Sequence, residues 1–345
     1  MAVRAAINGF GRIGKNLLRI CMEGRRDIEI AAINSTSGPE AHAHLFKYDS
    51  IYGTFPGDIR VTQNSITIYE KEILFTAERD PEKLPWKELD IDVVLESTGK
   101  IKKRKDAFKH IEAGAKKVII TAPADEADIT IVMGVNHNLY DPSKHEIISA
   151  ASCTTNCLAP VVKVIHDEFG IINGSLTTVH SYTADQMLVD KPHKDLRRAR
   201  GAALSIIPTT TGAAKAIGLI IPELKGKLNG IAFRVPTPAV SIVDFVAAVK
   251  REVTVNEVNN ALKSAASGEL NGILGFTTEP LVSSDFIKNP LSSIVDGLST
   301  MVIDGSTVKI LSWYDNEYGY ANRVLDLASF CFADDINKIN CSVTA

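Results

Sequence analysis

Gly9-Phe10-Gly11-Arg12-Ile13-Gly14 lies between a short apolar run, Val3–Asn8, and the helical pattern KNLLRICMEG. A second apolar run, IEIAAIN (28–34), comes about 20 residues further on. A G-x-G-x-x-G alone is weak evidence. One that leaves a strand, opens a helix and precedes a second strand has the context of a dinucleotide-binding turn. The glycines permit a tight turn and let the backbone approach a pyrophosphate, whose charge falls on the unpaired N–H groups of the helix N-terminus. Gly9 and Gly11 are therefore expected cofactor contacts.

Strand and helix patterns keep alternating after this turn. IDVVLESTG (91–99) reads as a buried strand, RKDAFKHIEAGA (104–115) as a helix and KKVIITAP (116–123) as a strand. DITIVMGVN (128–136) and HEIISA (145–150) add two strands, and VTQNSITIYEKEILF (61–75) reads as an antiparallel hairpin. The alternation predicts an α/β fold with a doubly wound, Rossmann-type parallel sheet. Beyond residue 151 the style changes. LAPVVKVIHDEFG (158–170), TTGAAKAIGLII (210–221) and VNEVNNALKSAAS (255–267) are helical, set among long alternating strands at 174–183, 229–250 and 299–316. These predict an α+β catalytic domain on a mostly antiparallel sheet. GYANRVLDLASFCFAD (319–334) reads as a helix that returns to the first domain. The expected division is a dinucleotide-binding domain, 1–151 plus 317–345, and a catalytic domain, 152–316.

Charge and composition exclude several functions. The 345 residues carry a net charge of −3, which gives no electrostatic footprint for nucleic acid. The basic run KIKKRKDAFKH (100–110) has no interleaved aromatics and reads as a solvated helix start. No signal-peptide pattern opens the chain and no apolar run is long enough for a membrane span, so a cytoplasmic protein is expected. The cysteines are Cys21, Cys153, Cys157, Cys331 and Cys341. An odd count without a secretory signal favours reduced thiols. No second Cys/His cluster completes a zinc site, so no metal is expected.

Cys153 and Cys157 pose the sharpest question, since each is open to roles as nucleophile, ligand, disulfide partner or packing group. A helix is expected to start at about Cys153, and a helix N-terminus lowers a thiol's pKa. Cys157, one turn inside, suits packing. A nucleophilic thiol needs a base nearby, and His180, at the end of the strand SLTTVH, is the best candidate. The spacing alone leaves its reach to Cys153 open. His42, His44, His110, His137, His145, His166 and His193 lie in helices or polar turns and have weaker contexts.

NGFGRIG, ASCTTNCLAP, TTVHSYTADQ, PHKDLRRARGAALSIIPTTTGAAKA, GKLNGIAFRVPTP and SWYDNEYGYANR, in this order, resemble the phosphorylating glyceraldehyde-3-phosphate dehydrogenase family over essentially the whole chain. The resemblance implies reversible oxidation of glyceraldehyde 3-phosphate to 1,3-bisphosphoglycerate. Cys153 would attack the aldehyde, His180 would act as base, and the Cys153 N–H with a His180 donor would hold the oxyanion. Thr183 and Arg234 would take the substrate phosphate. Ser152, Thr154, Thr211 and Gly212 would surround the attacking inorganic phosphate, with Arg198 near both. Arg12, Ile13, Asn34, Ser35, Arg79, Thr98, Thr121 and Lys191 would join Gly9 and Gly11 around the cofactor, with Asn316 and Tyr320 at the nicotinamide. A homotetramer is implied, whose 181–204 loop completes a neighbour's cofactor site. Erythrose-4-phosphate dehydrogenase is the rival within the same fold, and HSYTADQ and IIPTTTGAAKA resemble it less.

The cofactor position departs from the commonest pattern. Where an acid usually ends the second strand and accepts from the ribose 2′-hydroxyl, this chain has Ser35. No carboxylate repels a 2′-phosphate there. Lys191, in Lys191-Pro192, and Arg79 add positive charge. NADP is expected over NAD, with dual use allowed by the Ser35 hydroxyl.

Overall fold

The computed structural model describes residues 2–333. Cys341, Asp334 of the expected last helix and the end of the 317–345 segment lie outside the described residues. Seven α-helices are found among the described residues: α1 (Arg12–Met22), α2 (Pro39–Lys47), α3 (Arg104–Glu112), α4 (Cys153–Phe169), α5 (Ala213–Ile220), α6 (Val255–Ser267) and α7 (Tyr318–Cys331). The chain divides into two compact units. Unit 1 holds Met1–Ile131, Asn138–Ala151 and Ala321–Ala345; unit 2 holds Val132–His137 and Ser152–Tyr320.

Unit 1 is built on a nine-stranded sheet. Its order is Ile129–Thr130, Ile147–Ser149, Lys117–Ile120, Val93–Glu96, Val3–Asn8, Ile28–Asn34, Lys71–Thr76, Ser65–Ile68, Ile59–Val61. The first seven strands run parallel and the last two antiparallel. Val93–Glu96 is buried throughout and Val3–Asn8 nearly so, as strands covered on both faces must be. Strand order reverses between Val3–Asn8 and Val93–Glu96, which opens a crevice at their C-terminal ends. The Ala321–Cys331 part of α7 is tied to this unit. Arg25 donates to Asp326 at 2.6 Å and to the Ser329 hydroxyl at 3.2 Å.

Unit 2 is an α+β body on a mixed, mainly antiparallel sheet ordered Ile207–Thr210, Leu228–Val235, Ile171–Ser181, Ser241–Val249, Thr307–Tyr314, Ser293–Asp296, Leu274–Thr277. Ile171–Ser181 runs parallel to Leu228–Val235, and Leu274–Thr277 parallel to Ser293–Asp296. Along Ser241–Val249 alternate residues are buried, so one face is fully covered. α4 packs on this strand and on Ser293–Asp296 and Thr307–Tyr314.

Several elements are shorter than their sequence patterns. The run 229–250 is two strands separated by a break at Pro236–Val240, where proline cannot donate to a ladder and Val240 takes φ 66°. DITIVMGVN keeps only Ile129–Thr130 as strand. α3 stops at Glu112, two residues before Gly114, whose φ of 106° ends the turn.

Candidate active site

Chain direction explains how Cys153 heads α4. The backbone leaves Ile147–Ser149, passes Ala151 at φ 56°, a left-handed value uncommon for alanine, and enters the helix at Ser152. Ser152 is the N-cap, and its hydroxyl accepts from the Thr155 N–H at 3.0 Å. Cys153 is thus the first helical residue, where unpaired N–H groups gather.

Sheet register brings the rest of the site together. His180 and Arg234 are direct partners on adjacent parallel strands, 54 residues apart in sequence. The His180 Nε2 lies 3.5 Å from the Cys153 Sγ. Its Nδ1 lies 2.7 Å from the Ser181 carbonyl oxygen and 2.7 Å from Arg234 Nη1, which itself donates to that carbonyl at 2.9 Å. Nδ1 therefore has two alternatives. It can carry the proton and donate to Ser181, leaving Nε2 to receive a proton from the thiol. Or it can accept from Arg234, leaving Nε2–H to donate towards sulfur or a developing oxyanion.

Burial and Arg234 together hold His180 at a pKa of about 3, so the imidazole is neutral at physiological pH. Cys153 moves the other way. Burial raises its thiol above the usual value, while the Arg234 charge and the N–H groups of Cys153 and Thr154 pull it back in part. The helix N-terminus was expected to lower this thiol. It contributes in that direction, but the desolvation of a thiolate outweighs it. A neutral base within reach of a protonated thiol is an arrangement for transferring the proton during attack, rather than for storing an ion pair beforehand.

The neighbouring groups are tightly held. Tyr314 is fully buried, bonds the hydroxyls of Thr154 and Thr178 at 2.9 Å each, and packs edge-on against the His180 ring. Arg198 donates to Thr209 Oγ1 at 2.9 Å and to Asp185 at 2.5 Å, so its charge is partnered before any anion arrives. Thr211 precedes Gly212, the N-cap of α5, and its hydroxyl accepts from the Ala213 N–H at 3.3 Å. A Cβ added to exposed Gly212 would meet nothing within 4 Å, which leaves that backbone open. Asn316 is buried with its amide oxygen accepting from Ser181 Oγ at 2.8 Å and Ser241 Oγ at 3.1 Å, which fixes the amide plane. Cys157 differs from Cys153. Buried against Ser293 and Ser312 at 3.6 Å, its thiol is pushed up to about 12.

The cofactor half of the expected site lies in unit 1. Gly9 has φ 96°, and a Cβ there would sit 2.5 Å from the Thr98 N. Gly14 would place one 2.3 Å from the Gly9 carbonyl oxygen. Only glycine fits either position. At Gly11 the space is open, and no side chain caps α1. This cradle suits a pyrophosphate, and a cavity of about 630 Å³ runs from Gly9 and Gly11 past Asn34, Ser35 and Arg79. Asn34, Thr98 and Thr121 direct their side chains to protein partners. Asn34 bonds Asn8, Thr76 and Glu78, Thr98 bonds the Glu96 carboxylate, and Thr121 bonds the Glu96 carbonyl. These bonds fix Asn34 and Thr98 where they line the cavity, whereas Thr121 is not among its lining residues. Arg12 is paired with Asp49 at 2.6 Å, and Ile13 belongs to the first turn of α1. Thr183 and exposed Lys191 are in unit 2, as is buried Tyr320.

Comparison with known proteins decides the family. Residues 152–316 match the glyceraldehyde 3-phosphate dehydrogenase C-terminal domain, and residues 3–104 match its NAD binding domain. Relatives named glyceraldehyde-3-phosphate dehydrogenase include one from Geobacillus stearothermophilus, 61% identical over 96% of this chain and 98% of the relative. One from Priestia megaterium is 57% identical over 96% and 99%. The chain belongs to the glyceraldehyde-3-phosphate dehydrogenase family. Members of this family are NAD(P)-dependent oxidoreductases, and the Gly9–Gly14 turn lies within the residues that match the NAD binding domain. Three groups at this candidate site were not singled out from sequence: Tyr314, Asp185 and Thr209. Asp185 stands in the motif SYTADQ and Tyr314 in SWYDN, yet their pairing with Arg198 and Thr154 depends on how the chain between Ser181 and Ile207 folds back and on how α4 packs against Thr307–Tyr314. Among the described residues no cluster suited to a metal is found.

Proposed function

We propose that Cys153 and His180 carry out phosphorylating oxidation of glyceraldehyde 3-phosphate. The observation that carries this reading is the 3.5 Å approach of a neutral His180 Nε2 to the thiol that heads α4. His180 takes the Cys153 proton as sulfur adds to the aldehyde carbon, giving a thiohemiacetal. The N–H of Cys153 and the His180 ring then face the new oxyanion. A nicotinamide held by Asn316 and Tyr320 would supply the hydride acceptor for oxidation of the thiohemiacetal to a thioester. Inorganic phosphate attacks the acyl carbon of the thioester, the C–S bond breaks, and the acyl phosphate and the Cys153 thiolate are released. Arg234 and Thr183 hold the substrate phosphate. Arg198, Ser152, Thr154, Thr211 and Gly212 serve the attacking phosphate, for which Arg198 must loosen its hold on Asp185. Asn316 and Tyr320 are assigned to the nicotinamide.

The corresponding working division is residues 1–151 with 317–345 for the cofactor and 152–316 for chemistry. Ser35 and the cationic Arg79 and Lys191 favour NADP, because no carboxylate ends the second strand. Exposed Leu188, Val189, Leu196, Leu204 and Ile206, close together in sequence, support a homotetramer that buries this segment. No helix among the described residues is long and apolar enough to cross a membrane, which agrees with a cytoplasmic placement.

Reduced cofactor should form from glyceraldehyde 3-phosphate only when inorganic phosphate is present. Phosphate-independent turnover, or a preference for erythrose 4-phosphate, would replace this reading with the rival dehydrogenase. Steady-state rates with NADP a hundredfold below those with NAD would remove the cofactor preference alone.

A further inference from the structure

Within unit 1, the second strand ends at Asn34, and Ser35 begins the loop where a dinucleotide fold meets the ribose 2′ position. The Ser35 hydroxyl lies 2.8 Å from Nε2 of His42, on α2. The other ring nitrogen, Nδ1, is buried and has no hydrogen-bond partner among the described residues. Phe10 and Phe75 flank the ring, at centroid distances of 5.5 Å and 5.7 Å. Both Ser35 and His42 line the cavity that begins at Gly9 and Gly11.

The charges around this pair have one prevailing sign. From α1, the Lys15 ammonium lines the same cavity and is nearly buried, and Arg12 beside it is paired with Asp49. Arg79 and Lys100 stand on the loops that follow Lys71–Thr76 and Val93–Glu96. The one carboxylate lining the cavity, Glu78, accepts from the N–H groups of Arg79 and Asp80 in its own loop. The site therefore offers a hydroxyl, the imidazole bonded to it and a poorly solvated ammonium, while its one acid, Glu78, is engaged by the N–H groups of its own loop. A ribose 2′-hydroxyl needs only one hydrogen bond here. A 2′-phosphate brings up to two negative charges and three acceptor oxygens.

We propose that His42, acting with Ser35, is the residue that reads the ribose 2′ substituent: it binds a 2′-phosphate as an imidazolium, so that NADP takes up a proton on binding and NAD does not. The inference rests on the reading that the chain uses NADP and names the residue responsible. In the absence of ligand, burial and the Lys15 charge hold the His42 pKa below its ordinary value, so the ring is neutral near pH 7. A phosphate placed against Ser35 opposes the Lys15 charge and offsets the cost of burying an imidazolium by supplying a counter-charge. Linkage then fixes the sign. Affinity for NADP relative to NAD rises as pH falls from about 8 towards 6.

The test is calorimetric binding of NADP and NAD to the full-length protein, in two buffers of different ionisation enthalpy, alongside His42→Leu and His42→Asn. Wild type should take up a larger fraction of a proton with NADP than with NAD. In both variants that difference should fall by the His42 share, to what the phosphate's own ionisation contributes, and the NADP-to-NAD affinity ratio should fall about tenfold or more, as for the loss of a charge-assisted hydrogen bond. Unchanged circular dichroism and thermal unfolding of the ligand-free protein show that the variants are folded. The phosphate's own ionisation, near pH 6, is common to wild type and variants and cancels in the comparison. Equal proton uptake for the two cofactors in wild type, or variants that keep the wild-type difference, would overturn the role of His42 while leaving NADP use intact. Failure of wild type to bind NADP would overturn both.

Discussion

Two thiols stand one turn apart on α4 and meet opposite surroundings. Cys153 opens the helix, beside His180 and within the field of Arg234. Cys157 is wholly enclosed, with two serine partners and no cation or base among the causes that shift it. Burial raises both thiols. What separates them is compensation, because only Cys153 has charges and donors that improve as a thiolate forms. A reactive cysteine is thus defined here by what its environment does for the anion, and exposure comes second.

The strongest attempt to break this contrast is to remove each sulfur in turn. Cys153→Ser should lower turnover by a thousandfold or more, since a serine hydroxyl beside a neutral histidine is a far poorer nucleophile. Cofactor binding, followed by fluorescence, should persist. Cys157→Ser should keep kcat within a few-fold. Iodoacetamide under native conditions, read by peptide mass, should label Cys153 and spare Cys157. Comparable losses in the two variants would end the division of roles.

His180 comes next in size. His180→Asn keeps a polar group but removes the base, and a loss of about a hundredfold to ten-thousandfold in kcat is expected, with KM less affected. The substitution also has a thermodynamic signature. With a folded pKa of about 3, against about 6.5 when unfolded, His180 binds protons more readily in the unfolded chain. Stability is full above pH about 6.5 and is lost as pH falls towards 3, by at most roughly 1.4 kcal/mol per pH unit from this group. His180→Asn should flatten that acid limb in denaturant titrations, even if it lowers stability overall.

Arg234→Leu tests what distinguishes the Cys153 surroundings electrostatically. Arg234 supplies the largest charge effect opposing the burial of that thiol, so its loss should raise the thiol pKa further and slow alkylation at a given pH. It should also raise KM for the phosphorylated substrate by about tenfold or more, consistent with a lost charge-assisted bond. Arg234→Lys should restore the charge in part, but as a point charge on a flexible stem in place of the planar guanidinium whose Nη1 meets both Ser181 and His180.

Much of this was legible in the chain because it is written locally. The glycine turn follows from Gly9, Gly11 and Gly14 and the strands around them. The helix expected at about Cys153 begins there, because Ser152 is a good cap. The long-range partners were not legible. Arg234 meets His180 only through a parallel register between strands separated by α5, and Tyr314 reaches Thr154 from 160 residues away. The same limit hid His42. On sequence it was one helical histidine among several with weak contexts, and its significance comes from the fold of the loop that returns Ser35 against it. Strand lengths were overestimated where apolar runs crossed proline or a positive-φ position, since apolar patterning records burial and not hydrogen-bonded pairing.

The smallest expected effect is a test of Cys157 as filler. Cys157→Ala removes a buried sulfur and leaves a small void against Ser293 and Ser312, whose hydroxyls bond each other at 2.6 Å and so are not orphaned. The cost is then the transfer of about one methylene-sized group plus a small cavity, on the order of 1 kcal/mol by denaturant melts. Kinetics and the alkylation rate of Cys153 should be unchanged. If instead the Cys153 rate shifted by tenfold with stability intact, the two thiols would be electrostatically coupled along the helix. The contrast between them would then be one of degree, with Cys157 helping to set the anion's environment from below.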